Sequence, residues 1–287
     1  MRESRYSANM LTTLRIAASS TLEIGSALAR LPGAGKAGRK RVKKAVNNVF
    51  ARYEEAGLLP RLPAFDESYA DYPELKVFEE HYPEIREECE RMLGFRAQVT
   101  DISKLGGDYT SGGIHTIRWK AFMLKSGEFI EPNCALAPKT AAVLRRVPIV
   151  ANAFFSVLEP HQYITPHFGY YKGFVRYHLG VVIPDDNREK RCWLRVNADA
   201  ADNARRDKTL IDRGEKYCWR NGKGVVFDDT NLHDAANDSD EVRAVLWLDV
   251  IRRLPASLAV YNRALLAAAF HEPSIRKFRE NAVVRLS

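Results

Sequence analysis

The stretch YITPHFGYYKGFVRYHLGVVIP, residues 163–184, holds a histidine, a glycine two residues on and an Arg-x-His pair. Its second half, GFVRYHLGVVI, reads as a strand. Side chains alternate across a strand, so Arg176 and His178 share one face while Val175, Tyr177, Leu179 and Val181 share the other. A guanidinium and an imidazole backed by an apolar face imply a polar interior cavity or a solvent-facing side. If the face is interior, both groups need partners, because a buried polar group left unpaired is costly. The stretch therefore asks for a ligand or a metal.

Similar runs lie on both sides of it. HTIRWKAFML, VANAFFSVLEP, CWLRVNA, EKYCW, GVVFDDT and RAVLWLDVI, with GFVRYHLGVVIP, are strand-like and separated by turn residues. Their density predicts a mainly β core built as a double-sheet barrel of the jelly-roll kind, with helices flanking it. Towards the N-terminus, Leu11, Leu14, Ala18, Leu22 and Leu28 recur near helical spacing. LLPRLPAF reads as a linker, YPELKVFEEHYPEIREECERML as amphipathic helix with a proline near each start, and LPASLAVYNRALLAAAFHEPSIRKFRENAVV as a return to helix. The expected organisation is a basic helical extension over residues 1–62, a helical support segment over 63–114, the β core over 115–252 and a helical segment over 253–287. DAANDSDEV, between His233 and Arg243, fits a hairpin connection that brings these two residues to the same end of the sheet.

A chain of 287 residues can bury a full core. Its net charge of +8 and pI near 9.3 favour an anionic small-molecule substrate, and no specific nucleic-acid binding is expected. The basic run KAGRKRVKK reads either as a solvated helix start or as a peripheral contact with anionic lipid headgroups. The most apolar segment, MLTTLRIAASSTLEIGSALARL, is interrupted by Arg15 and Glu23, which argues against a membrane span or a signal peptide. Four cysteines without CxxC spacing do not form a disulfide framework. The expected location is cytoplasmic, with the inner membrane face as a peripheral site.

LAPKT, PHFG, VRYHLG and FDDTNLH, with an arginine ten residues past His233, follow in an order that resembles the aspartyl/asparaginyl β-hydroxylase family over residues 115–252. The resemblance implies a double-stranded β-helix, cupin-like fold and oxygenase chemistry that uses Fe(II), 2-oxoglutarate and O2. It implies His167 and His233 as the iron ligands. Ser156, Arg176 and His178 map onto contacts of 2-oxoglutarate, Arg243 onto the arginine that binds its carboxylate, and Trp119 onto a tryptophan at the cosubstrate site. Bacterial lipid A hydroxylases of the same family echo the basic arm, the C-terminal helices and a W-R-[ND]-G turn, here Trp219 to Gly222. The residue types suit the task. Neutral imidazoles hold Fe(II) and leave positions open, and a guanidinium offers a rigid fork to a carboxylate.

Iron oxygenases of this type commonly present His-x-Asp with a distant His, but here His167-Phe168-Gly169 lacks the carboxylate. Three readings follow. Water fills the place beside Gly169 and the enzyme hydroxylates an unactivated C–H bond of an anionic, acyl or amino-acid-type substrate. Alternatively, chloride fills it and the enzyme is a halogenase, a nucleotide-like molecule being one candidate substrate. Or the barrel is a non-catalytic binding module. Among the other polar residues, His115 and His161 read as surface or satisfied core histidines. Asp228 and Asp229 read as turn or supporting residues and Asp249 as structural. Phe168, Tyr170, Tyr171, Phe174 and Tyr177 read as packing or as a substrate wall. The insert from DDNREKR to EKYCW reads as a solvated loop or a cover over the site.

Overall fold

The computed structural model describes residues 35–105 and 117–286, and for residues 35–43 the backbone alone. The apolar periodicity of residues 11–28, His115 and the basic side chains up to Lys43 lie outside the described residues.

The chain forms two compact units. The first comprises the described part of Met1–Arg61 with Tyr170–Gly173 and Arg252–Leu266. Its helix α1 (Gly35–Glu55) presents Val46, Val49, Phe50 and Tyr53 at helical spacing, and these bury against Leu59 and Leu258. Lys172 and Arg252 both reach the carboxylate of Glu54, at 3.0 Å each.

The second unit comprises Leu62–Gly169, Phe174–Ile251 and Ala267–Ser287. Its strands are β1 (Trp119–Ser126), β2 (Glu128–Phe129), β3 (Val150–Leu158), β4 (Gln162–Phe168), β5 (Phe174–Val182), β6 (Cys192–Asn197), β7 (Glu215–Cys218), β8 (Gly224–Phe227), β9 (Leu232–Asn237) and β10 (Arg243–Ile251). They form a six-stranded sheet, β2-β1-β3-β10-β5-β8, and a four-stranded sheet, β4-β9-β6-β7. All strand pairs are antiparallel. This is the double-sheet jelly roll with flanking helices.

Alternation sorts the large sheet. Tyr177 and Leu179 of β5, Leu246 and Leu248 of β10, and Phe155 and Val157 of β3 pack outward against Leu75, Phe78, Ile85, Cys89 and Met92. Those partners come from α2 (Lys76–Glu80), α3 (Tyr82–Gly94) and the turn before them. Met123, Phe154, Val245 and Trp247 point the other way and meet Ile164, Leu194, Val196 and Ala235 of the small sheet. The face carrying Arg176 and His178 is therefore interior, 9% and 7% exposed. LAPKT leads from the end of α4 (Glu131–Leu136) into α5 (Pro138–Arg145), where buried Glu88 of α3 accepts from the Lys139 and Thr140 amides at 2.8 and 2.7 Å. A carboxylate at a helix N-terminus satisfies amides that the helix leaves open.

The described part of segment 63–114 groups with the β strands in the second unit, and Tyr170–Gly173 groups with the first. Other expectations need correcting. The insert from DDNREKR to EKYCW is no loop: it carries β6 and β7, two of the runs read as strands, with α6 (Ala200–Arg205) between them. DAANDSDEV is not all connection, because its first four residues continue β9. Nor do His233 and Arg243 share a sheet; β9 lies in the small sheet and β10 in the large one.

Candidate active site

The two histidines sit side by side on adjacent strands. His167 of β4 is in register with His233 of β9, and their rings lie 4.0 Å apart between centroids. Parity alone would send His167 to the opposite face from Ile164. A bulge between them, around Pro166 with its missing N–H, inserts one extra residue and returns His167 to the interior. Each imidazole has its Nδ1 against a backbone carbonyl at 2.9 Å, His167 on Thr165 and His233 on Asn231. A carbonyl only accepts, so each Nδ1 carries the proton and each Nε2 keeps a free lone pair. Burial pushes the His167 pKa down to about 3, aided by the neighbouring His233, and pushes that of His233 down to about 4. Both rings are neutral at pH 7, the form a metal needs. Among the described residues, no group of three or more His, Cys, Asp or Glu forms a metal cage.

The turn FDDTNLH delivers a carboxylate beside this pair. Asp228 accepts from the Thr230 amide at 2.9 Å and from its hydroxyl at 2.5 Å, which fixes the turn. Asp229 is thereby buried, and its carbonyl accepts from the Gly169 amide at 2.7 Å. A Cβ at position 169 would fall inside 3.0 Å of both the Asp229 carbonyl oxygen and its carboxylate. The glycine is required by that close approach. Where a 169 side chain would start, the Asp229 carboxylate already stands.

Arg176 holds that carboxylate. Its guanidinium bonds Asp229, reaches Asp249 at 3.2 Å and lies 3.2 Å from the centroid of the Trp247 ring. Asn152 donates to Asp249 at 2.7 Å. Burial raises the pKa of both carboxyls, Asp249 to about 6, although Arg176 works against the shift in each. Arg176 is in the interior as the sequence implied, but it is already engaged by two carboxylates rather than held free for a cosubstrate. Asp249 is more than a structural strand residue, since it shares this arginine.

Arg243 is the opposite case. It is 2% exposed, and among the described residues no carboxylate pairs with it. Burial pushes its pKa down to about 10, with the Cys192 thiol acting against the shift. Its guanidinium lies over the ring of Trp219 at 4.4 Å. His178 is the link between the two ends: burial holds its pKa well below the usual value, and Arg176, Arg243 and His233 all push it further down. Ser156 is buried and takes the indole N–H of Trp119 at 2.8 Å, which leaves its own hydroxyl proton free to donate. Nε of Arg176, both ring nitrogens of His178, Nε1 of Trp219 and Nε of Arg243 are buried without a hydrogen-bond partner. Unpaired donors of this kind in a native interior call for a ligand.

The structure thus gathers His167, His233, Gly169, Ser156, Trp119, Arg176, His178 and Arg243 around one interior. It fits Fe(II) and 2-oxoglutarate, with two lone-pair imidazoles for the metal and an unpaired arginine for a carboxylate. Other candidates fall outside. Phe168 packs with Leu210, Ile211 and Leu232, and Tyr177 faces the helices. His161 is exposed and pairs with Asp240. Sequence reasoning underrated Asp229 and passed over the roles of Trp219 and Trp247. Alternation along β10 does place Trp247 on the Arg243 face, but nothing local marks Asp229 or Trp219 as facing inward.

A family profile described as aspartyl/asparaginyl beta-hydroxylase matches residues 79–253. A Rhizobium tropici protein named ornithine lipid ester-linked acyl 2-hydroxylase is 30% identical over 221 residues, covering 76% of this chain and 71% of that protein. Human aspartyl/asparaginyl beta-hydroxylase is 29% identical over 138 residues, 46% of this chain and 16% of its own length. Among solved structures, a Trichoplax adhaerens prolyl hydroxylase bound to a peptide of hypoxia inducible factor aligns with 80% of this chain and 96% of its own at 10% identity. Its TM-score is 0.44, a likeness too distant to bear on mechanism.

Proposed function

Because this chain belongs to the aspartyl/asparaginyl β-hydroxylase family, we propose that it is an Fe(II)- and 2-oxoglutarate-dependent hydroxylase acting on the acyl chain of an amino-acid-bearing lipid. The observation that carries the chemistry is the pair of Nε2-ready imidazoles beside the Asp229 carboxylate. When bound, Fe(II) with 2-oxoglutarate supplies the oxidising power that O2 alone lacks towards a C–H bond.

The chain's own residues do the rest. His167 and His233 offer two nitrogens and no charge. Asp229 stands where a carboxylate ligand at 169 would start, so it can accept a hydrogen bond from a water there. Arg176 and Asp249 keep Asp229 in place. Arg243 would hold the far carboxylate of 2-oxoglutarate, and the Ser156 hydroxyl would donate to the same molecule. The apolar interior excludes water, which strengthens each of these charge interactions.

Hydroxylation is favoured over chlorination by that same carboxylate. A chloride beside Gly169 would lie next to the negative charge of Asp229, which opposes it. The acyl substrate is supported by the relative whose match extends over most of both chains. Exposed Lys44 of the basic run, and the net positive charge, suit an anionic lipid surface.

The test is succinate formation under Fe(II), 2-oxoglutarate and O2, with acyl lipids of amino-acid headgroup offered as substrate. Expected is a product that has gained one oxygen on the acyl chain, abolished in His167→Ala. Turnover without any oxygenated lipid refutes the substrate. A chlorinated product at high chloride refutes hydroxylation, and no binding of Fe(II) or 2-oxoglutarate refutes the enzyme.

A further inference from the structure

Arg243 poses a mechanical problem. A guanidinium on a long side chain, with no carboxylate beside it, has many orientations, and only a few present its fork to an incoming carboxylate. The Cys192 thiol and the neutral His178 ring act on it electrostatically but are no anchor for its plane, and the face of Trp219 lies 4.4 Å from it.

Trp219 is itself held with unusual firmness. It is 0% exposed. It opens the turn Trp219-Arg220-Asn221-Gly222, which docks onto β5 through Gly222 N–H to the Gly180 carbonyl at 2.8 Å and Gly180 N–H to the Lys223 carbonyl at 2.9 Å. A Cβ at Gly180 would collide with the Arg220 carbonyl, so only glycine lets the turn come this close. Gly222 turns the chain back with a φ of +70°. The Trp219 carbonyl accepts from Asn187 Nδ2 at 3.0 Å, and the Asn221 side chain bonds Ile183 N and O at 2.9 and 3.0 Å. These bonds hold the turn's backbone on both sides of Trp219, the indole is fixed by its complete burial, and His178 lies 5.9 Å from it, ring to ring.

We propose that Trp219 is a positioning residue for the cosubstrate: its buried indole face fixes the plane of the Arg243 guanidinium so that the fork meets the far carboxylate of 2-oxoglutarate. The inference rests on the functional reading above. A cation over an aromatic face away from water is held more strongly than at an exposed site, enough to select one orientation. The W-R-N-G turn thus becomes part of the cosubstrate site through the ring of its first residue.

The test compares Trp219→Phe, which keeps a ring face, with Trp219→Met, which fills space without one. Anaerobic calorimetry with Fe(II) gives the affinity for the metal and then for 2-oxoglutarate. Expected for Trp219→Met is about a tenfold weaker 2-oxoglutarate affinity with Fe(II) affinity unchanged; for Trp219→Phe, a loss of roughly threefold at most. A second readout needs no ligand. The Arg243 Nε–H resonance, assigned by its disappearance in Arg243→Lys, is expected to be ring-shifted in the native protein and in Trp219→Phe but not in Trp219→Met. An unshifted native resonance overturns the inference even if a variant fails to fold. So does Trp219→Met binding 2-oxoglutarate like the native protein, or Trp219→Phe losing as much as Trp219→Met. If the native protein itself binds no 2-oxoglutarate, the functional reading falls first.

Discussion

Gly169→Asp separates two accounts of the metal site. If the glycine merely marks an empty ligand position, an aspartate there completes a carboxylate set and tightens Fe(II). If Asp229 already fills the place, the new side chain has nowhere to begin. The structure argues for the second, because a Cβ at 169 falls inside 3.0 Å of the Asp229 carbonyl and carboxylate. Backbone has to move, and overpacking of this kind costs about 1–3 kcal/mol. Losing the Gly169 N–H to Asp229 carbonyl bond, 2.7 Å long, adds about 1 kcal/mol. If Asp229 is also pulled from Arg176, a buried pair is broken, at about 3–5 kcal/mol. Gly169→Ala isolates the steric part. At about 2–4 °C per kcal/mol, the steric part should lower the melting temperature by roughly 2–12 °C. Gly169→Asp should lower it further and bind Fe(II) more weakly than native. The assay is thermal melting of the metal-free protein, followed by anaerobic Fe(II) titration. A Gly169→Asp protein that melts with the native and binds Fe(II) more tightly refutes the reasoning. Gly169→Asp combined with Asp229→Gly should recover much of the lost stability, since it returns the space.

Further expectations concern the two arginines and the histidine pair. Arg176→Met strands two buried carboxylates and should cost about 3–5 kcal/mol in chemical denaturation, with part regained by adding Asp249→Asn. Arg243→Met should weaken 2-oxoglutarate binding by about 10–100-fold, the worth of a charge-assisted hydrogen bond, while Fe(II) affinity in calorimetry stays put. The histidine pair sets a pH dependence. Folded pKa values of about 3 and about 4 lie below the ordinary 6.5, so the unfolded chain takes up protons first as pH falls. Stability of the metal-free protein contributed by these rings is present above pH 6.5 and declines from there toward pH 4. Urea midpoints measured across that window should fall in the native protein, and His167→Gln with His233→Gln should flatten the slope.

What the sequence determined by itself follows from local rules. Alternation along 174–182 and 243–251 separates the helix-facing residues from the interior ones, because a strand's period of two is a backbone property. Motif order pointed to the two histidines, Gly169, Ser156, Arg176, His178, Arg243 and Trp119 as candidates. The tertiary structure decided what parity and spacing could not. The bulge at Pro166 inverted the facing of His167, and β9 and β10 parted into separate sheets, so that His233 and Arg243 look across an interior instead of along one edge. Asp229, read as a turn or supporting residue, became the carboxylate beside Gly169. Trp219, read as one letter of a turn, came to lie under Arg243. These contacts join residues tens of positions apart, and their close approach depends on which backbones touch, a property of the packed chain that no local window of residues encodes.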